Sequence, residues 1–406
     1  MKIVKKVFIK KHKRLKKCRC DKIVCRKFLP FPEDEQEVVS HSVAAANTLI
    51  TEKKSKNKKI FSLIFLIFNI LLVVGVFYNF AKEQGGILPF SDLISNHPRW
   101  KFLIIALVLF LVTVLFNALK TFILVYNRTK KLRPIFSFKS ATMSRYYDLM
   151  TPFNSGGKPF EIYYLKKNKH SGDVATAIPL AKYMVWQFVF VTLCLTILIF
   201  YPHENISSPI ILIGAWIGII AILCVFLFIL FMSITKKWGA KILGGILRLL
   251  HRMKLVKNYH TVLRKVLRFV KSYQYSMKAF IKSPITIIFV AICTLGAIVS
   301  NGLIAYFIYA SFTEVATVAW YDIFCKCIIC ELAICFIPLP GGAGVSELSF
   351  NSLLGGLFPE GALFWGILLW RIFTYYLHIL LGGILLLLEY LIPKKRRKKR
   401  NFSKKT

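Results

Sequence analysis

The sequence predicts an all-α integral membrane protein, with six full transmembrane helices plus two re-entrant broken-helix hairpins in an inverted repeat. Three observations predict it. Of the 406 residues, 56% are hydrophobic and the mean hydropathy is +0.57, too apolar for a soluble domain. Six apolar runs reach the length of about 20 residues that crosses a bilayer. Two further apolar stretches are interrupted by Pro and Gly-Gly, and lipid tolerates such breaks only where protein or a water-filled cavity satisfies the backbone.

Residues 1–59 read as a basic, largely disordered cytoplasmic tail, with Lys10-Lys11-His12-Lys13-Arg14 followed by an acidic patch at Glu33-Asp34-Glu35. Such a tail can touch anionic lipid, at about 1 kcal/mol per basic residue near the surface, or serve only as a solvated orientation signal. The first apolar run begins at Ile60, after this long hydrophilic stretch, so it reads as a signal anchor and not as a cleaved signal peptide. The expected spans are 60–81, 101–126, 176–201, 209–233, 284–310 and 362–391.

The formal net charge is +39, which raises nucleic acid as a partner. The basic residues, however, fill alternate connections. Segment 127–140 holds Arg128, Lys130, Lys131, Arg133 and Lys139, segment 234–283 is rich in Lys and Arg, and the C-terminus carries Lys394–Arg400, whereas 202–208 and 311–322 have neither Lys nor Arg. The positive-inside rule accounts for this pattern, makes nucleic acid an unexpected partner, and places both termini in the cytoplasm of a multi-pass cell-membrane protein.

Segments 141–165 and 323–358 are too broken for straight spans. The first is flanked on both sides by basic residues (Lys139; Lys166, Lys167, Lys169) and so starts and ends inside; the second starts and ends outside. The chain then divides into helix, helix, hairpin, helix, twice: 60–201 with hairpin 141–165, and 202–391 with hairpin 323–358. Three crossings per unit is an odd number, so the second unit is inverted, the plan of many transporters. Between the units, 234–283 is a basic amphipathic linker with Leu247, Leu250, Leu255, Val262, Val266 and Phe269 among its charges, suited to the membrane surface. Residues 392–406 form a second basic tail.

The hairpins carry what looks like one motif written twice. Thr151-Pro152-Phe153-Asn154-Ser155-Gly156-Gly157-Lys158-Pro159-Phe160-Glu161 and Pro338-Leu339-Pro340-Gly341-Gly342-Ala343-Gly344-Val345-Ser346-Glu347 each run Pro, Gly-Gly, Glu. A helix start after such a break presents free N–H groups and the positive dipole end to an anion. Ionisable residues inside a membrane are functional candidates by default. Here they are Lys158, Glu161, Glu347 and Arg371, with Arg145, Asp148 and His378 nearby. Arg offers a planar fork for phosphate. Glu161 and Glu347 can cap the helix starts, pair with Arg371 or Lys158, or hold a proton or a cationic headgroup; such pairs can equally serve only to tie broken helices together. His378 reads as an interior histidine or as a ligand or relay. Glu389 and Lys120 are expected to snorkel to the boundary.

No Walker A loop, dinucleotide fingerprint or H-E-x-x-H motif is present, so no cofactor, metal or catalytic residue is expected. Of the cysteines, Cys18, Cys20 and Cys25 lack a zinc spacing, and Cys194, Cys224, Cys293, Cys325, Cys327, Cys330 and Cys335 read as small apolar packing residues.

The Pro-Gly-Gly-x-Gly-x-x-Glu element at 340–347, the 151–159 segment and Arg371 followed by Gly382-Gly383 resemble the lysylphosphatidylglycerol synthase transmembrane, or flippase-like, family over roughly 60–391. The resemblance implies movement of lysylated phosphatidylglycerol between leaflets. In two-part members a separate soluble domain transfers lysine from lysyl-tRNA; with Thr406 just past the last expected helix, that domain is not expected in this chain. The long basic tail and the Cys-rich 325–335 segment have no counterpart in the resemblance. The expectation is a lipid translocase for an anionic or aminoacylated phospholipid, with Gly156, Gly157, Lys158, Glu161, Gly341, Gly342, Gly344, Glu347 and Arg371 at the substrate. Expected partners are anionic phospholipid, the membrane, and either a separate lipid-modifying enzyme or a second copy of the chain. The alternatives are phosphatidylglycerol lysyltransferase, or its membrane component, and a solute or ion transporter.

Overall fold

The computed structural model describes Arg99–Leu391, apart from 203, 205, 207, most of 235–282, 314–316, 336, 338, 343 and 360–361. The expected span 60–81, both tails, the N-terminal cysteines, Pro338 and most of the linker lie outside the described residues. Among the described residues the chain is helical throughout and contains no strand.

Five helices are long and apolar enough to cross a membrane, and they match the second to sixth expected spans. They are α1 (Trp100–Thr129), α4 (Gly172–Phe200), α5 (Pro209–Ile234), α6 (Pro284–Phe312) and α9 (Leu363–Leu391). Pro209 and Pro284 open their helices, where the missing N–H costs nothing. Helix α1 ends at Lys130, in the left-handed region at φ 52°, whose N–H donates to the Tyr126 carbonyl. Arg128 in that last turn complements the negative dipole end.

One face of each outer helix stays exposed and apolar. On α1 it is Ile104, Leu107, Leu111 and Leu115; on α5 it is Ile210, Ile213, Ile217 and Ile220. Unbroken apolar stripes of this kind are anomalous in water and ordinary against lipid chains. The opposite faces meet in a core holding Phe110 of α1, Phe190 of α4, Ile219 of α5, Ile304 and Ile308 of α6, and Ile367 of α9. Helix α1 packs lengthwise against α6, with the Phe116 ring lying over Gly296.

The two broken stretches are helix-turn-helix hairpins. The first runs through α2 (Pro134–Leu149), a 3₁₀ turn at Pro152–Asn154, and α3 (Gly157–Lys167). The second runs through α7 (Trp320–Ile334), a 3₁₀ turn at Pro340–Gly342, and α8 (Val345–Leu354). The arms have 16, 11, 15 and 10 residues. At 1.5 Å per residue even the longest covers only about 24 Å, short of the about 30 Å hydrocarbon core. The first hairpin starts earlier than the expected 141, because Pro134 opens a helix that runs unbroken through 141 to Leu149. The tips of the two hairpins touch each other, and α2 packs along α9. Gly382 makes that packing close, since a Cβ there would fall 2.4 Å from Cβ of Tyr146.

Candidate functional site at the two hairpin tips

The repeated motif is real in backbone shape but shifted in register. Phe153 sits at φ 56°, ψ 20°, and Gly341 at φ 58°, ψ 13°. The residues that follow, Asn154 and Gly342, are also left-handed, at φ 49° and 66°. The structure therefore matches Pro152-Phe153-Asn154 to Pro340-Gly341-Gly342, and not Gly156-Gly157 to Gly341-Gly342 as the sequence suggests. Gly156 has an ordinary φ of −78°. Gly157 serves close approach instead: a Cβ there would lie 2.3 Å from the Ser144 carbonyl oxygen. At Gly341 both needs coincide, because a Cβ would also meet the Tyr375 ring at 2.1 Å.

At the second tip Glu347 is buried and bonded on both oxygens. Its Oε2 accepts from the Gly344 N–H at 2.7 Å and from the Ser346 hydroxyl at 3.2 Å, the carboxylate half of a capping box. Arg371 of α9 donates through Nε to Oε1 at 2.7 Å and through Nη2 to Oε2 at 2.8 Å. The same guanidinium donates to the carbonyls of Gly341 at 3.1 Å and Gly342 at 3.5 Å. Trp370 and Tyr375 flank it at 5.2 and 5.5 Å from their ring centres. A π turn, Ile372–Tyr376, follows at once; such turns recur at functional sites because they rotate side chains out of α register.

The first tip uses the same principle with different residues. Lys182 of α4 lies 2.7 Å from both carboxylate oxygens of buried Glu161, hydrogen-bonding Oε1, and donates to Thr121 Oγ1 of α1 at 3.3 Å. Lys158 pairs with Asp148 at 3.0 Å and donates to the Asn154 carbonyl at 2.8 Å. Asp148 also accepts from the Gly157 N–H at 2.9 Å, so the preceding helix caps the start of α3. Lys158 lies over the Tyr183 ring at 5.5 Å and keeps a third of its side chain exposed.

Each hairpin thus sends a glutamate to a cation on the following long helix: Glu161 to Lys182, Glu347 to Arg371. Sequence reasoning missed Lys182, a lone lysine in an apolar run; that isolation was its signal. Lys120 does not snorkel. It is 4% exposed, facing α1's packed side beside Thr121, and it has no hydrogen bond or ion pair among the described residues. Glu389 does lie at a partly exposed boundary, 3.9 Å from Lys139 and 3.6 Å from Lys167. His378 is buried edge-on to Phe110 at 4.8 Å, and neither ring nitrogen makes a hydrogen bond of ordinary geometry. Asp322, unremarked in the sequence, pairs with Lys326 at 3.0 Å and accepts from the Tyr201 hydroxyl. Among the described residues Cys194, Cys224, Cys293, Cys325, Cys327, Cys330 and Cys335 are free thiols.

No curated protein and no solved structure matches the chain. The family model described as "Lysylphosphatidylglycerol synthase TM region" matches residues 59–382, a stretch that takes in both hairpins, both glutamate–cation pairs and all of the fold described above except the end of α9. With helices built for a bilayer and that match over most of its length, the chain is a multi-pass membrane protein belonging to the lysylphosphatidylglycerol synthase transmembrane family.

Proposed function

We propose that the protein is a lipid translocase that moves an anionic or aminoacylated phospholipid, such as lysylphosphatidylglycerol, between leaflets. The observation that carries this reading is the meeting of the two broken-helix tips, each fastened to the next long helix by an intramembrane carboxylate–cation pair. Matched breaks in two halves of a membrane chain are where transport sites form. In this reading 60–81 supplies a sixth span, the hairpins are re-entrant, and the two units are inverted copies with both termini in the cytoplasm. The parallel between Glu161–Lys182 and Glu347–Arg371 supports the repeat.

In this reading Glu161, Glu347 and Arg371 keep the tips in shape, while Gly156, Gly157, Gly341, Gly342 and Gly344 let backbone approach the passing headgroup. Lys158, partly exposed at the first tip, meets the phosphate. The deciding experiment is leaflet exchange of labelled phosphatidylglycerol and lysylphosphatidylglycerol in proteoliposomes, wild type beside Glu347→Gln. Fast exchange by wild type that is lost in Glu347→Gln protein shown to be folded supports translocation through the tips; no exchange by folded wild type overturns it.

The family's printed description, a synthase's transmembrane region, favours a second reading, the membrane component of a phosphatidylglycerol lysyltransferase. Labelled lysine appearing in extracted lipid, dependent on this chain, would establish it.

A further inference from the structure

Each hairpin is fastened at its foot as well as at its tip, and the foot is tied to the other half of the chain. Helix α7 carries Asp322 in its first turn. That carboxylate accepts a hydrogen bond from the hydroxyl of Tyr201, the residue that closes α4, and pairs with Lys326 at 3.0 Å. Helix α2 carries Lys139, whose ammonium lies 3.9 Å from Glu389 in the last turn of α9. Lys167, at the end of α3, approaches the same carboxylate at 3.6 Å. Asp322 and Glu389 thus play one part in two places: each joins the foot of a hairpin to the end of a spanning helix from the other half.

The two clamps stand at opposite ends of the bundle. Helix α1 starts beside the end of α6, where the Arg99 N–H donates to the Ser311 carbonyl at 3.0 Å. The next helix after α6 is α7, so the Asp322 clamp lies at that end; α2 begins just past the end of α1, so the Lys139 clamp lies at the other. The 30 residues of α1 put about 45 Å between the two ends. From the clamps the arms α2 and α7 run inward until their tips touch.

The clamps differ in strength. Asp322 sits at a helix start, where the free N–H groups and positive dipole end favour a carboxylate. Lys326 and Asp322 are 10% and 15% exposed, so salt screens their pair little. Glu389 sits at a helix end, which disfavours a carboxylate. Its two ion pairs are longer, with side chains 28–36% exposed, and pairs of that kind hold weakly.

We propose that these clamps are the two gates of the protein, a loose one at Glu389 and a tight one at Asp322, released one at a time, with the Glu389 face the first to open. Each clamp joins the two halves of the chain. Releasing one lets the halves part at that face while the touching tips and the other clamp keep the far face shut, the rocking motion that alternating access requires. The proposal rests on the lipid-translocation reading, in which the Glu389 face is cytoplasmic. It makes Glu389 and Asp322 positioning residues, which set from which face the tips are reached.

The test uses the full-length chain in sealed vesicles, with the native cysteines replaced by alanine and Ser155→Cys as a reporter on the exposed turn of the first tip. A membrane-impermeant maleimide is applied to one face or the other. With both clamps intact the reporter should react faster from the Glu389 face than from the Asp322 face. Glu389→Gln should raise the rate from its own face about fivefold, the scale of one hydrogen bond or weak ion pair, and leave the opposite face unchanged. Asp322→Asn should do the reverse. Tyr201→Phe should act like Asp322→Asn, and Lys139→Met like Glu389→Gln; these two carry the test should either carboxylate variant fail to fold. A rise from both faces at once would mean general loosening and overturns the gates, as do unchanged rates in folded variants. Equal rates from the two faces with both clamps intact overturn the order of opening. Leaflet exchange of labelled phosphatidylglycerol in the same vesicles separates this proposal from the reading it rests on. Sided labelling without exchange sinks translocation and leaves the gates standing; exchange with labelling that no clamp variant makes sided sinks the gates alone.

Discussion

Arg371 and Glu347 hold each other through hydrogen bonds of 2.7 and 2.8 Å, and the same guanidinium reaches the carbonyls of Gly341 and Gly342. One side chain on α9 thereby fixes both the carboxylate that caps α8 and the turn before it. The pair is 5% and 1% exposed, so removing one partner strands the other charge, at a cost of about 3–5 kcal/mol. Glu347→Gln and Arg371→Met should each destabilise the protein on that scale in detergent unfolding. The double variant Glu347→Gln/Arg371→Met should cost clearly less than the sum. Additive losses would show that the pair does not act as a unit.

Gly341 combines left-handed backbone with contact against Tyr375. Ala at Gly341 should destabilise by about 1–2 kcal/mol from the backbone alone, and by more from the collision. Tyr375→Ala in the same chain should recover the collision part and not the backbone part. Gly157 has no such backbone demand, so Gly157→Ala should act only by pushing α3 from α2. Detergent unfolding of the three variants separates the two causes; full recovery by Tyr375→Ala would contradict the strain.

Five of the expected spans were legible because about 20 apolar residues in a row admit few other readings. The hairpins were legible because Pro and Gly-Gly interrupt that pattern. Their register was not, because Gly-Gly was matched to Gly-Gly. Asn and, here, Phe can occupy left-handed backbone when the surroundings enforce it, so Phe153 and Asn154 took the place that glycine fills at Gly341 and Gly342. Partner choice was the other gap. Glu161 could be read as facing Lys158, three residues away, but Asp148 from the preceding helix holds that lysine. Which cation crosses from a neighbouring helix depends on packing that one sequence does not encode locally.

His170, in the connection between α3 and α4, lies beside the Phe136 ring at 5.4 Å, with Nε2 buried and unbonded. Burial, and then Arg133 and Lys131, lower its pKa from the ordinary 6.5. The native state therefore binds fewer protons than the unfolded chain just below that value, and stability rises with pH there. Thermal stability should fall as pH drops through about 6.5 and level off once the native histidine is protonated. His170→Asn should flatten that slope. An unchanged slope in His170→Asn would assign it to other groups.

Glu161 sets the sharpest contrast with Glu347. Both are buried, yet Glu161 depends on a lysine that also reaches Thr121 of α1. An ammonium is a point charge that tolerates small displacements, whereas a guanidinium fork demands its planar geometry. Lys182→Met should therefore destabilise the first tip on the several-kcal/mol scale of an orphaned buried carboxylate, while Lys182→Arg retains most of the stability. The reciprocal change at the second tip, Arg371→Lys, should fail to rescue, because one ammonium cannot reach Glu347 and both tip carbonyls at once. Unfolding midpoints of the three variants in one detergent test this. Equal rescue by Arg at 182 and by Lys at 371 would mean that charge alone, without geometry, holds the tips.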